Sequence, residues 1–181
     1  MSLLVAFTGK AGSGKTTAVQ ALKDIGIGTV YNVKFAQPLY DMQEFLYNRI
    51  KTVYTRPPDF KKDRRLLQFI GTEWGRQTVN ENIWVDIWVK RIEQVRGMDS
   101  DVILTADDTR FDNEALAANK LSGIVIKIDR DAAASDAGSH ISEAGINNSL
   151  IQYTVKNNGT YEEFKEALAA LFNQITAERV A

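Results

Sequence analysis

The chain contains no cysteine, only three prolines and a single histidine, His140. The absence of cysteine excludes disulfide bonds, thiolate catalysis and a cysteine-based zinc site, and it is compatible with a reducing compartment. Long hydrophobic runs are also missing: the apolar segment at residues 3–7 is too short for a signal peptide or a membrane span, and no basic segment precedes it. We therefore expect a cytoplasmic protein with no membrane partner.

An excess of charge of either sign is absent as well. The 22 Lys and Arg residues and the 23 Asp and Glu residues leave a formal net charge of -1. Proteins that bind long nucleic acids need a basic face that displaces counterions, so we expect no nucleic-acid polymer as a partner. Any polyanion that the chain recognises should be small. With 181 residues and a composition close to the globular average, the chain predicts one domain, residues 1–181.

A glycine-rich segment stands out against these absences. Residues 9–16 read GKAGSGKT and follow the apolar run directly. This is the P-loop pattern, in which backbone N–H groups and the start of the next helix hold a triphosphate. We expect Lys15 to lie against the β and γ phosphates of ATP and the Thr16 hydroxyl to face Mg²⁺. The residues predicted to bind the nucleotide here are Gly12, Ser13, Gly14, Lys15, Thr16 and Thr17.

Five segments with strand character alternate with helical segments. The strands are predicted at residues 3–7, 29–35, 101–106, 123–129 and 152–155. Helical periodicity predicts that residues 38–50 bury Leu39, Met42, Phe45, Leu46 and Ile50, and that a helix from residue 82 buries Val85, Trp88, Val89, Ile92 and Val95. A capping box at residues 160–163 begins the last helix. The pattern predicts a three-layer α/β fold with a mostly parallel sheet, helices on both faces and ligand at its C-terminal edge.

Aromatic and basic side chains lie at the end of the predicted second strand and in the segments after it. Phe35 is compatible both with core packing and with stacking on a nucleobase. The stretch at residues 54–65 is the most basic of the chain, and its arginines, Arg65 among them, suit phosphate oxygens better than its lysines do. Between residues 71 and 86, Gly, Thr, Arg and Trp residues concentrate in a way that is typical of a pocket. Trp74 and Trp84 lie off the apolar stripe of the next helix, so we consider both as ligand contacts.

Two acidic residues, Asp107 and Asp108, end the third strand. P-loop enzymes place a carboxylate of the Mg²⁺ shell at this position, while an acidic residue before a helix also serves as an N-cap, so one carboxylate can cap while the other meets the metal. Arg110 follows in the first turn, where a cation opposes the helix dipole unless an anion lies nearby. We therefore predict that Arg110 contacts a phosphate.

The segment at residues 130–143, after the fourth strand, is rich in alanine and polar residues. In kinases the corresponding loop often closes over the donor nucleotide and excludes water, so we predict a lid here. Arg130 is its one arginine and is expected to contact ATP. We assign His140 to orienting Glu143 or the lid, since phosphoryl transfer to a phosphate needs little help from a general base.

Four segments together carry a resemblance to a known family. They are FAQPL at residues 35–39, GTEWGR at 71–76 with Trp84, DTRFDNE at 108–114 and HISE at 140–143. In this order, over nearly the whole chain, they resemble the deoxynucleoside monophosphate kinases of tailed bacteriophages. The resemblance implies transfer of the γ-phosphoryl group of ATP, with Mg²⁺, to a deoxynucleoside 5′-monophosphate (dNMP). It also implies location in the cytoplasm of an infected host cell if the protein is phage-encoded, and it is compatible with a homodimer.

The resemblance assigns roles to particular residues. Residues 36–98 are implied to form a helical acceptor-binding region. The residues implied to be catalytic are Lys15, Arg76, Asp108 and Arg110. Those implied to contact the acceptor are Phe35, Arg65, Gly71, Thr72, Trp74, Arg76, Trp84, Asp108, Arg110, Glu114 and Glu143. Those implied at the metal are Thr16, Asp107 and Asp108. The additional Asp107 leaves the metal carboxylate open, and the single lid arginine suggests that Lys15, Arg76 and Arg110 supply most of the positive charge.

Two other functions remain as alternatives at this point. One is another small-molecule P-loop kinase, such as a dephospho-coenzyme A kinase, which differs in its acceptor. The other is a nucleotide-dependent switch protein. The Asn-Lys-x-Asp motif that reads guanine is absent from the sequence, which disfavours a GTPase switch.

Overall fold

The strands pair into one parallel sheet. We describe a computed structural model of the chain, covering residues 2–53, 62–99, 101–133 and 145–180. Within these ranges the strands are β1 (Leu3–Thr8), β2 (Thr29–Asn32), β3 (Val102–Ala106), β4 (Ile124–Asp129) and β5 (Tyr153–Lys156). Their order in the sheet is β2-β3-β1-β4-β5, and every neighbouring pair is parallel.

The central strand β1 explains why the sheet is buried on both faces. Successive side chains of a strand point to opposite faces. Val5 and Phe7 accordingly lie in one core cluster, and Leu4 and Ala6 lie in the other. An unbroken apolar run is the pattern expected of a parallel strand covered by helices on both sides.

The helices form the two outer layers. They are α1 (Lys15–Ile25), α2 (Gln37–Lys51), α3 (Arg64–Gln68), a π-helix (Phe69–Val79), α4 (Ile83–Met98), α5 (Asp112–Lys120), a 3₁₀ turn (Asn148–Leu150) and α6 (Tyr161–Val180). Helices α1 and α6 pack on one face of the sheet, and α4 and α5 pack on the other. The predicted three-layer α/β fold is therefore confirmed.

The strand order places a crevice at the carboxyl end of β1. The connections from β1 and β3 run to opposite sides of the sheet, since β1 leads to β2 and β3 leads to β4. In open parallel sheets, ligands bind where the strand order reverses in this way. The segments that follow β1, β2 and β3 meet at this point, and they carry the P-loop, Lys34 and Asp107.

Some predicted elements differ from the observed ones. The second strand ends at Asn32 rather than at residue 35, so Phe35 lies in the connection to α2. In α2, Leu39 is buried as predicted, but Phe45 and Leu46 are exposed. The helix packs by one edge: Leu39 lies in a small cluster with Ile70, and Met42 packs against that cluster. This narrow contact does not cover Phe45 and Leu46, which are exposed. The predicted stripe of α4 is confirmed, with Val85, Trp88 and Ile92 buried.

The segment that carries GTEWGR is helical and does not stop at its glycines. Helix α3 continues directly into the π-helix, which contains both Gly71 and Gly75. At its end, the Asn80 N–H donates to the Gly75 carbonyl at 2.9 Å, the five-residue spacing of a π turn. Gly75 is required because a Cβ there would lie 2.4 Å from Cζ2 of Trp84. π turns occur frequently at functional sites.

Two other local features follow from the sequence. The capping box of α6 is formed as predicted: the Glu163 N–H donates to Thr160 Oγ1 at 3.3 Å, and the Thr160 N–H donates to Glu163 Oε2 at 2.7 Å. None of the helices within the described ranges is long and apolar enough to cross a membrane.

Candidate active site

The P-loop forms a cradle between β1 and α1. The Lys15 ammonium turns back over the loop and donates to the carbonyls of Gly9 at 2.7 Å and Lys10 at 2.8 Å. The Ser13 hydroxyl is fully buried and finds no hydrogen-bond partner among the residues that the structure describes. A buried donor without a partner carries a free-energy cost that a phosphate oxygen would relieve. This geometry fits a bound phosphate chain.

Asn157, in the loop after β5, contacts the P-loop and stabilises its conformation. Its side-chain amide donates to the Ser13 carbonyl at 2.8 Å, and its backbone N–H donates to the Asp129 carbonyl at 2.7 Å. Gly14 has φ +103°, and a Cβ there would lie 2.3 Å from Asn157 Nδ2. Asn157 was not among the predicted site residues, because an asparagine after a short strand has the appearance of an ordinary turn residue.

Arg130 lies at the other side of the P-loop. Its Nη1 donates to the Gly12 carbonyl at 3.5 Å, so the predicted ATP-contacting arginine does reach the loop. Of the predicted lid, residues 134–143 lie outside the described residues. The predictions for His140 and Glu143 therefore lie outside them too.

Asp107 faces the P-loop across the sheet edge. Its Oδ2 accepts from Thr16 Oγ1 at 2.7 Å, and its Oδ1 accepts from Asn32 Nδ2 at 2.9 Å and lies 3.5 Å from Lys34 Nζ. Burial acts to raise the pKa of this carboxyl, but the hydrogen bonds from Asn32 and Thr16 and the charge of Lys34 outweigh it and lower the pKa below its ordinary value. Asp107 is therefore held as a carboxylate.

The pair of Thr16 and Asp107 has the chemistry that a magnesium ion requires. Mg²⁺ prefers oxygen ligands and is commonly bound by one or two carboxylates together with substrate phosphates. No group of three or more histidine, aspartate or glutamate side chains within the described ranges is arranged to hold a metal ion by itself. A metal at Thr16 and Asp107 would therefore depend on phosphate oxygens of the nucleotide, as the P-loop next to it permits.

Asp108 has a different environment from its neighbour. Its two carboxylate oxygens accept the backbone N–H groups of Phe35 at 3.0 Å and Ala36 at 2.9 Å. Burial raises the pKa of Asp108, although these two hydrogen bonds act in the opposite direction. The structure thus places Asp107, and not Asp108, beside Thr16. Asp108, which we predicted at the metal and the substrate, instead fixes the connection between β2 and α2.

Phe35 lies in the core. Its ring stacks on Trp88 with centroids 4.2 Å apart and planes 24° apart, and almost none of its surface is exposed. Of the two interpretations left open by the sequence, core packing agrees with the structure. The predicted contact of Phe35 with a nucleobase is corrected, because Trp88 covers the ring.

The two tryptophans predicted as ligand contacts differ in burial. Trp84 is 2% exposed and its indole N–H donates to the Gly71 carbonyl at 2.7 Å, whereas Trp74 is 41% exposed. Trp84 lies outside the cluster that contains Trp88, as predicted, but it is buried against Leu39 and Ile70. Its predicted contact with ligand is therefore corrected, because these side chains cover the ring. It supports the π-helix from inside. Trp74 keeps an exposed ring and remains a candidate to contact a base.

A buried ion pair joins the π-helix to the segment after β3. Arg76 Nη2 lies 2.5 Å from Glu114 Oε1, and the two side chains are 10% and 4% exposed. The Arg76 guanidinium also stacks on Phe111, 4.0 Å from the ring centroid, and donates to the Glu81 carbonyl at 3.1 Å. Burial raises the pKa of Glu114 to about 7, even though Arg76 acts to lower it.

Glu114 also shapes the loop that holds Arg110. Its Oε2 accepts the backbone N–H groups of Arg110 at 2.7 Å and Phe111 at 3.2 Å. One carboxylate therefore fixes the side chain of Arg76 and the backbone of Arg110. The π-helix and the β3–α5 loop are brought together by this contact, which places the two predicted phosphate-binding arginines on adjoining segments.

Of the remaining predicted residues, those of the acceptor region lie on the helices between α2 and α4, and Thr17 lies on α1. Arg65 is exposed on α3, Thr72 is half-buried in the π-helix, and Thr17 is exposed in the first turn of α1. Gly71 is buried, and its carbonyl accepts the hydrogen bond from the Trp84 indole N–H. Their roles in binding substrate and nucleotide stay predictions.

Comparison with known proteins places the chain among nucleotide kinases. A model of the family described as deoxynucleotide monophosphate kinase matches residues 48–168. The chain is 31% identical to a protein of Acanthamoeba polyphaga mimivirus named as a deoxynucleotide monophosphate kinase, over 184 residues that cover 90% of this chain and 92% of that protein. It is also 31% identical to the deoxynucleoside-5′-monophosphate kinase of Escherichia phage T5, over 85 residues that cover 47% of this chain and 30% of that protein.

Solved structures show the same fold at low sequence identity. A dephospho-CoA kinase from Campylobacter jejuni superposes with a TM-score of 0.53 at 13% identity, covering 99% of this chain and 100% of that one. A shikimate kinase from Aquifex aeolicus superposes with a TM-score of 0.50 at 13% identity, covering 96% of this chain and 99% of that one. At such identities the likeness concerns the fold and not the acceptor.

Proposed function

Because the chain belongs to the deoxynucleotide monophosphate kinase family, we propose that it transfers the γ-phosphoryl group of ATP to the 5′-phosphate of a dNMP, giving the diphosphate and ADP. The resemblance predicted from the sequence agrees with this family. The observation that carries the proposal is the segment formed by the β3–α5 loop and the first turn of α5. Its Asp107 contacts Thr16 of the P-loop, and its Glu114 contacts Arg76 of the GTEWGR segment. A donor site and an acceptor site on the two sides of one loop are what transfer between two phosphates requires.

The donor side of the site is the P-loop. The ammonium of Lys15 is already turned toward the loop, where it can follow negative charge onto the transferred group. Loop amides and the Ser13 hydroxyl would hold the phosphate chain, and Arg130 would add charge at Gly12. Asn157 keeps the loop in shape from the opposite side.

We assign the metal position to Thr16 and Asp107. A magnesium ion bound there would offset the charge that develops on the phosphoryl oxygens. In the free protein, Asn32 and Lys34 orient the Asp107 carboxylate, and its lowered pKa keeps it ionised at neutral pH. Asp108 contributes by fixing the start of α2 rather than by binding the metal.

The acceptor side is assigned to the helical region at residues 36–98 together with Arg110. Arg76 is held in place by Glu114 and Phe111, so its guanidinium enters the site without having to be ordered by the substrate. Arg110 and Arg65 would take phosphate oxygens, and the exposed ring of Trp74 would lie against the base. We further propose that the enzyme works in the cytoplasm, that of the infected host if it is phage-encoded.

A coupled ADP-release assay tests the proposed function. The wild-type chain is supplied with MgATP and, in separate reactions, the four dNMPs, the four ribonucleoside monophosphates and dephospho-coenzyme A. We expect turnover with one or more dNMPs and a lower kcat/KM with the ribo counterparts. Turnover with dephospho-coenzyme A alone, or ATP hydrolysis that no acceptor stimulates, would overturn the proposal.

Trp74 should determine part of the preference for deoxynucleotides. An aromatic wall excludes an added 2′-hydroxyl by shape, and an apolar pocket rejects one extra hydroxyl by about 10²-fold at most. We expect Trp74→Leu to lower the ratio of kcat/KM for a dNMP to kcat/KM for its ribonucleotide counterpart. If stacking on the base dominates, the variant loses activity on the dNMP; if exclusion of the 2′-hydroxyl dominates, it gains activity on the ribonucleotide. Phe69→Leu, at another exposed aromatic of the π-helix, is the control. An unchanged ratio in Trp74→Leu would contradict this role.

A further inference from the structure

Lys34 places a further cation beside the proposed phosphate-transfer position, and neither the P-loop pattern nor the family motifs include it. It follows β2 and precedes α2, at the sheet edge where the P-loop and Asp107 meet. Its ammonium lies 3.5 Å from Asp107 Oδ1, and its side chain is 33% exposed, while that of Asp107 is 2% exposed. A buried carboxylate therefore holds a lysine whose other side faces solvent.

The two oxygens of Asp107 face different parts of the site. Thr16, on the donor side, donates to Oδ2, while Asn32 and Lys34, from the end of β2, approach Oδ1. The chain continues from Lys34 into α2, the first helix of the region proposed to bind the acceptor. Lys34 thus lies on the acceptor side of the carboxylate whose donor side faces the P-loop.

The charges of the site call for a further cation on this side. A phosphate monoester carries about −1.5 to −2 charges at pH 7. Arg76 is only 10% exposed, and its charge is already opposed by Glu114. If a divalent cation binds Asp107, it also competes with the ammonium of Lys34 for the same carboxylate. The ammonium then requires another anion nearby, and lysine binds phosphate well as a compact point charge.

We propose that Lys34 contacts the 5′-phosphate of the acceptor when the donor and its metal occupy the P-loop side of Asp107. In the free protein, the ammonium instead pairs with Asp107 and keeps that carboxylate oriented. This inference rests on the proposed function and adds a substrate-binding residue to it. Because the contact is with phosphate, it should affect acceptors only through their phosphate group.

The experiment compares Lys34→Met with a matched control, Lys165→Met. Lys165 is also a partly exposed lysine, 28% exposed, in an ion pair with a carboxylate, but it lies on α6 with Glu162. For each protein, titration calorimetry in the presence of MgADP measures the affinity for a dNMP that the wild type phosphorylates and for the same deoxynucleoside without phosphate. Steady-state kinetics give KM for the dNMP and for ATP, and thermal unfolding gives Tm. Lys34→Gln provides a second variant if Lys34→Met does not fold.

We expect Lys34→Met to weaken dNMP binding about tenfold or more, which corresponds to the loss of one charged hydrogen bond. Its affinity for the deoxynucleoside and its KM for ATP should change by less than about twofold, within the scatter of neutral surface changes. Lys165→Met should leave all these quantities unchanged.

Three results would overturn the inference. Equal loss of dNMP and deoxynucleoside affinity would show that Lys34 acts only by shaping the pocket. A rise confined to KM for ATP or to the Mg²⁺ requirement would make it a positioning residue for Asp107. Unchanged dNMP affinity would exclude the contact. If the wild type neither binds nor phosphorylates any dNMP, the proposed function fails together with this inference, whereas wild-type turnover with an unaffected Lys34→Met rejects the inference alone.

Discussion

Replacing Lys15 with alanine should lower kcat by about 10²-fold or more while the fold stays intact. The ammonium of Lys15 is held over the P-loop by the carbonyls of Gly9 and Lys10, at the place where charge would build up on the transferred phosphoryl group. Alanine removes that cation and leaves the loop glycines unchanged. Lys15 belongs to none of the hydrophobic core clusters within the described ranges, so we expect the effect in catalysis rather than in stability.

Steady-state turnover at saturating ATP and dNMP, together with thermal unfolding, measures this effect. Lys23→Ala is the matched control, because Lys23 is exposed in the last turn of the same helix, α1. We expect near-normal kcat for Lys23→Ala and a Tm close to that of the wild type for both variants. Turnover of Lys15→Ala within a few-fold of the wild type would remove the P-loop from the mechanism.

Arg76→Ala should destabilise the protein by about 3–5 kcal/mol at alkaline pH, because it breaks a buried ion pair and leaves one partner uncompensated. Arg76 is the counter-charge of Glu114, which is almost fully buried and also holds the backbone N–H groups of Arg110 and Phe111. The substitution also removes the stacking of the guanidinium on Phe111. Acceptor binding should weaken as well, since the β3–α5 loop loses its anchor on the π-helix.

The loss should be smaller at low pH. Burial raises the pKa of Glu114 from an ordinary 4.5 to about 7 in the folded protein. Because the pKa of this carboxyl is higher in the folded protein than in the unfolded chain, the protonated form stabilises the fold. This contribution is complete below about pH 4.5 and is lost as the pH rises through 7. Near pH 5, Glu114 is protonated in the folded protein and needs no counter-charge. Above pH 7 it is ionised, and Arg76 then matters most.

Urea unfolding at pH 5 and pH 8 of the wild type, Arg76→Ala, Glu114→Gln and the double variant separates these effects. We expect the coupling between the two positions to be large at pH 8 and small at pH 5. Arg91→Ala, at an exposed arginine of α4, should change little at either pH. Equal destabilisation by Arg76→Ala at the two pH values would contradict the assigned titration of Glu114.

Local patterns in the sequence determined much of this protein. The P-loop follows from residue spacing alone, because eight consecutive residues contain all the groups that form the cradle. The apolar run of β1, the stripe of α4 and the capping box of α6 follow from periodicities of two and 3.6 residues and from a contact three residues apart. The family motifs were equally readable, since their residues lie close together in the chain.

Tertiary structure decided what depends on contacts between distant segments. Asp107 and Asp108 are neighbours in the sequence, yet only Asp107 faces Thr16, 91 residues away, while Asp108 holds the N–H groups of Phe35 and Ala36. Successive residues at the end of a strand point in different directions, and the sequence does not say which of the two meets the P-loop.

Tertiary structure also decided which aromatic residues are buried and where the supporting side chains lie. Trp84 and Trp74 have the same composition cues, but packing of the π-helix on α4 buries one and leaves the other exposed. The residues next to Lys34 and Asn157 in the sequence do not indicate their roles. Lys34 pairs with Asp107 and Asn157 with Ser13, and in both cases the partner is more than 70 residues away. Patterns of adjacent residues encode secondary structure and loops, whereas the choice of partners across the sheet edge arises only when the strands have paired and the helices have packed.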